Sequence, residues 1–168
     1  TKNSGHIGDP SNLNSNNTYD KKGNPNASNL DKHLDDGASI MLYAGHSNEV
    51  SIATTSYSTN NTKNLSNKDK YFLGCVVGCS IGSHDENYMC LAENSQVAKE
   101  KGSIGMFVSS ILQSWQPPMH MQRELNNTII NSNKVMTLGE IFKESVNNKK
   151  FLPRQLGGEG YTIDFWHF

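Results

Sequence analysis

The sequence predicts an α/β fold, a mostly parallel sheet with helices on both faces. Three observations lead there. ASIMLYAGH (38–46), YFLGCVVGC (71–79) and SIGMFVSS (103–110) are unbroken apolar runs of the kind found in strands buried on both sides. Segments of helical periodicity separate or follow them, which is the rhythm of βαβ units joined by right-handed crossovers. The 168 residues suit one core rather than two.

Residues 1–27 are polar and Asn-rich, offer little to bury, and read as a tail or long loop. SNLDKHLDDG then predicts a short helix: Ser28 as N-cap, Asp31 three residues on, Leu30 and Leu34 on one face, and Gly37 as the stop. ASIMLYAGH follows as a central parallel strand, and SYSTNNTKNLSNKDK as polar connection to the second strand. A helix is predicted from about Tyr88 to Lys101, capped by Asp85 or Asn87 and closed by Gly102. After the third strand and the loop QSWQPP, Pro117 and Pro118 suit a helix start, with Met121, Leu125 and Ile129 recurring every four residues. Thr137 and Glu140 form a capping box ahead of Leu138, Ile141, Phe142 and Val146, and YTIDFWHF (161–168) reads as a last strand.

Bulk properties narrow the function. A formal net charge of −1 with 18% charged residues leaves no basic excess for nucleic acid or an anionic membrane surface. No apolar run approaches the roughly 20 residues needed to cross a bilayer, so membrane insertion is not expected. Three cysteines are too few to staple a small secreted fold. A start at Thr1 and an end on FWHF read as a piece of a longer protein.

The chemistry concentrates in YFLGCVVGCSIGSHDENYMC (71–90), which holds Cys75, Cys79, His84 and Cys90. Three readings compete: a zinc module built from those four residues, three small buried hydrophobes, or one reactive thiol with two bystanders. Against zinc, Cys75 falls inside an apolar strand and Cys90 inside a helical pattern. Cys79 stands apart because Gly78 and Gly82 bracket it, its strand ends there, and a helix N-terminus follows, a setting of the kind that activates thiols. A nucleophilic thiol needs a proton partner. Of His6, His33, His46, His84, His120 and His167, only His46 ends a buried strand, and ligands of open α/β sheets gather at such carboxyl ends.

LYAGHSNEV, YFLGCVVGCSIGS, MCLAEN and GSIGMFVSSILQSWQPPM, in this order, resemble the gingipain (C25-type) cysteine peptidases, relatives of caspases. The resemblance spans about residues 29–168 and implies a caspase-like three-layer α/β/α sandwich, with residues 28–168 the C-terminal part of a larger catalytic domain. It implies Cys79 as nucleophile, His46 as general acid/base, the backbone N–H groups of Cys79 and Ser47 as oxyanion donors, and Trp115 and Met119 in the substrate pocket. A peptide or protein substrate, an extracellular or cell-surface location and structural calcium, which no residue pattern here places, follow by resemblance alone. The chain departs from the family in carrying Ser47 where glycine is usual and SIGSHDE after Cys79. The family's third catalytic acid lies further upstream, with Asp9, Asp20, Asp35 and Asp36 the nearest stand-ins. A non-catalytic scaffold of the same fold is the competing class.

Overall fold

The computed structural model describes residues 26–147, apart from 86, 114 and 115, together with 166–167. In chain order the elements are α1 (Ala27–Asp35), β1 (Ile40–Ala44), β2 (Ser47–Asn48), β3 (Ser51–Ile52), β4 (Tyr57–Ser58) and α2 (Thr59–Asn64). They continue with β5 (Phe72–Val77), α3 (Leu91–Val97), β6 (Ser103–Ser109), α4 (Gln116–Asn131), α5 (Leu138–Asn147) and β7 (Trp166–His167). The main sheet runs β1-β5-β6-β7, with β1, β5 and β6 parallel and β7 antiparallel to β6.

Side chains alternate across β5 and β6 and build a core on each side of the sheet. Leu73, Cys75, Val77 and Phe107 meet Leu125 of α4, with Ile141 and Phe142 of α5 packed against them. Phe107 and Phe142 stack with ring centroids 5.3 Å apart. On the other face Phe72, Val76, Met106 and Val108 meet Leu30 and Leu34 of α1, Leu91 of α3, and Ile52, Tyr57 and Leu65. Helices on both faces make the three-layer sandwich that the sequence predicts.

Several details differ from expectation. β1 is an outer strand of the described sheet rather than a central one, and Ile40 and Leu42 are 40% and 47% exposed. An apolar run cannot reveal whether a neighbour lies on each side, whereas all six residues of β5 are buried because one does. The α1 cap is Asn26, which accepts from Asn29 N at 2.9 Å, not Ser28. The expected polar connection instead contains β4 and α2, with Tyr57 and Leu65 buried, and β4 pairs with β3 of the preceding residues to complete the antiparallel sheet β2-β3-β4. Helix α3 is shorter than predicted, and its N-cap is Cys90 rather than Asp85 or Asn87, with Cys90 N donating to Glu93 Oε2 at 2.8 Å.

Helices α4 and α5 follow the prediction. In the Thr137–Glu140 capping box, Thr137 N donates to Glu140 Oε2 at 2.8 Å and Glu140 N to Thr137 Oγ1 at 3.3 Å. Hydrogen bonds from the Thr137 backbone N–H and hydroxyl hold the Glu140 carboxyl below its ordinary range. Of the last predicted strand only Trp166 and His167 lie within the described residues. The polar segment 1–25 lies outside them.

Candidate active site

Strands β1, β5 and β6 end at the same edge of the sheet, and hydrogen bonds tie the three exits together. β1 continues into Gly45–His46–Ser47, and β5 into Gly78–Cys79–Ser80. Gly45 N donates to Val77 O at 3.0 Å and Ser47 Oγ donates to Cys79 O at 2.8 Å, so the residues on either side of His46 are both joined to the Cys79 strand. Gly78 makes this approach feasible: a Cβ there would collide with Ser47 Oγ and lie 3.1 Å from Gly45 O. The His46 carbonyl accepts from Tyr43 Oη and Ala53 N, each at 2.8 Å, which fixes the turn while the histidine itself is exposed.

The exit of β6 supplies the other wall. Gln113 N donates to the Cys79 sulfur at 3.4 Å, and Gln113 Nε2 donates to Ser109 Oγ at 2.5 Å. Ser80 N donates to Ile111 O at 3.0 Å, which holds Ser80 in the left-handed region at φ +56°. The sulfur of half-buried Cys79 is therefore braced from the third strand. Gln113 Oε1 is buried with no hydrogen-bond partner among the described residues. Sequence reasoning missed Ser109 and Gln113, the glutamine being the first residue of QSWQPP.

The remaining candidates separate cleanly. Cys75 faces the α4–α5 core, where burial pushes its thiol up to about 12, partly offset by a hydrogen bond from Gln122. Cys90 lies in the opposite core and burial raises its thiol too. Cys75 and Cys90 on opposite sides of the sheet rule out the four-residue zinc module. His84 stands 3.8 Å from Glu93 by its Nδ1, and His120 pairs with Arg123 on α4. The expected dipole assistance to Cys79 also needs correction. Helix α3 begins only at Leu91, and Leu91 N and Ala92 N donate to Glu49 O and Ile81 O.

Asp35 and Asp36 close α1 at the amino edge of the sheet, where Asp35 Oδ1 accepts from Ser66 N at 2.6 Å, so neither stands behind His46. Asp9, Asp20, His6 and Trp115 lie outside the described residues. Met119 sits in the first turn of α4, 44% exposed. Among the described residues the one cluster of three His, Cys, Asp or Glu side chains close enough to hold a metal is His84, Cys90 and Glu93.

The sequence profile of peptidase family C25 matches residues 4–165. The chain belongs to that family. This C25 chain is similar to Gingipain R2 of Porphyromonas gingivalis strain W83, at 32% identity over 97 residues, covering 55% of this chain and 13% of the relative. It is also similar to Lys-gingipain of P. gingivalis strain ATCC 33277, at 35% identity over 83 residues, 49% of this chain and 5% of the relative. The crystal structure of the Arg-specific cysteine proteinase gingipain R superposes with a TM-score of 0.75 at 24% identity, over 84% of this chain and 34% of that one. The complex of the P. gingivalis RgpB pro- and mature domains gives 0.76 over the same shares. The fold is thus the caspase-like sandwich of the gingipains, and the C25 chain spans about a third of their matched structures.

Proposed function

We propose that this chain carries the nucleophile and general acid/base of a cysteine endopeptidase. One observation carries the reading: the residues on either side of His46 are hydrogen-bonded to the Cys79 strand, so sequence neighbours of the imidazole and the sulfur meet at one sheet edge. Membership of the C25 family supports it.

The chemistry is acyl transfer. The Cys79 thiol gives its proton to His46 and the sulfur attacks the peptide carbonyl, forming the S–C bond. The backbone N–H groups of Cys79 and Ser47 receive the oxyanion. His46 returns the proton to the leaving nitrogen as the C–N bond breaks, leaving a thioester, then takes a proton from the water that hydrolyses it. Every proton and electron pair in this sequence comes from the protein, substrate or water, so no cofactor takes part. Trp115 and Met119 line the pocket for the residue before the cut, residues 28–168 form the C-terminal part of the catalytic domain, and the protein acts outside the cell or at its surface.

The test is a peptidyl alkylating probe combined with peptide mapping. The adduct is expected on Cys79 alone, with the rate falling at least about 100-fold in His46→Ala, the scale of general-base assistance. Cleavage of a peptide library should cease in Cys79→Ala. A folded chain that shows neither adduct nor cleavage would be the non-catalytic scaffold instead.

A further inference from the structure

His84, Cys90 and Glu93 are not used by the reaction above, yet the fold brings them together. Their ligand atoms, an imidazole nitrogen, the sulfur and a carboxylate oxygen, all lie within 4.8 Å of one another. His84 Nδ1 and Glu93 Oε1 are 3.8 Å apart. In a tetrahedral zinc site with bonds of roughly 2.0–2.3 Å, neighbouring ligand atoms stand roughly 3.3–3.8 Å apart, so closure asks for a movement of about 1 Å. Two features prepare the set. Cys90 N fixes Glu93 Oε2, which leaves Oε1 as the oxygen near His84. The Cys90 side chain also accepts from the backbone N–H of Glu93, which partly offsets the rise that burial imposes on its thiol.

We infer that His84, Cys90 and Glu93 form a zinc site, with a nitrogen, a thiolate and a carboxylate from the protein and water in the fourth position. The donor set is mixed and borderline-soft, which selects zinc over magnesium or calcium. His84 and Glu93 keep side-chain exposures of 47% and 33%, so the ion enters from solvent while Cys90 supplies the buried floor. Binding replaces the Cys90 proton: the S–H bond breaks, the S–Zn bond forms and one proton leaves to solvent, so affinity rises with pH. The bound ion ties the loop at His84 to the start of α3. That loop continues the segment carrying Cys79, and its anchoring is a structural role separate from the peptidase chemistry.

The experiment uses the tag-free full chain carrying Cys79→Ala, which removes the other accessible thiol and makes the outcome independent of the peptidase reading. Cobalt(II) titration should give a thiolate-to-cobalt charge-transfer band saturating at one equivalent, reversed by zinc. His84→Ala, at an exposed position that leaves the core intact, should weaken binding at least about tenfold, as losses around metal sites do. Glu93→Gln should do the same, and about one proton should be released per ion bound at neutral pH. The proposal fails if the Cys79→Ala chain gives no thiolate band, or if His84→Ala binds as tightly as its parent.

Discussion

The two ends of the main sheet use polar groups in opposite ways. At the amino edge, fully buried Asn67 accepts from Gly102 N and donates to Gly102 O, each at 2.8 Å, and donates to Lys70 O at 3.2 Å. Asp35 accepts from Ser66 N through its carboxylate and from Lys70 Nζ through its carbonyl. These groups satisfy one another and close the fold. At the carboxyl edge the bonds fall mainly on backbone, at Gly45, Cys79, Ser80 and Gly82, and leave His46 exposed and the Cys79 sulfur half-buried. Left-handed non-glycine residues occur at both ends, with Asp69 and Glu100 at one and Ser80 at the other, so backbone strain does not tell them apart. What distinguishes the candidate site is fixed backbone beneath presented side chains.

The largest effect that would break this contrast is on stability at the amino edge. Asn67→Ala leaves Gly102 N without its buried partner and opens a small cavity. It should destabilise the chain by about 2–4 kcal/mol, seen as a lower urea midpoint, while the folded fraction alkylates at Cys79 at an unchanged rate. A slowed alkylation in that variant would mean the two ends are mechanically linked and the contrast is false.

What the sequence revealed follows the same division. Apolar runs announced β5 and β6 because burial on both faces leaves no polar residue in the pattern, and Thr137–Glu140 announced α5 because a capping box is purely local. His46 and Cys79 were legible as the polar residues ending two such runs. Ser109 and Gln113 were not, since a backbone N–H aimed at a sulfur is specified by how a loop folds back and not by residue type. The β2-β3-β4 sheet was hidden for a related reason. Its two-residue strands carry too few side chains to show a period, and Tyr57 and Leu65 stand singly among polar neighbours. Residue counting alone also suggested a four-ligand zinc set in which Cys75 and Cys90 turn out to sit on opposite faces of the sheet.

A smaller perturbation sharpens the carboxyl edge itself. Gly78→Ala drives a methyl group into Ser47 Oγ and toward Gly45 O, so the His46 turn must lift away from Cys79 or Ser47 must release the Cys79 carbonyl. Overpacking of this kind costs about 1–3 kcal/mol. Because the two turns hold His46 and Cys79, the pair proposed to react, Cys79 alkylation by a peptidyl probe should slow by about 10–100-fold, the scale set by misplacing groups by about 1 Å. Adding Ser47→Gly relieves the collision and should recover part of the rate. An unchanged rate in Gly78→Ala would show that the two turns move independently.

The smallest effect separates the three thiols by pH. Burial raises the Cys75 thiol to about 12 and raises Cys90 as well, so the folded state favours both in their neutral forms. A raised value means that this stabilisation is complete below the ordinary thiol range and is lost as pH climbs through it toward about 12. Between pH 9 and 10, below the tyrosine range, urea unfolding should therefore weaken by up to about 1.4 kcal/mol per pH unit for each buried thiol. Cys75→Ala starts from lower stability but should show a shallower alkaline decline. Iodoacetamide mapping across the same range should modify Cys79 first, with Cys75 reacting only as the fold opens. If Cys75 reacts alongside Cys79 at neutral pH in the folded chain, the sheet does not shield one thiol while presenting the other, and the contrast between closed structure and open site fails at its centre.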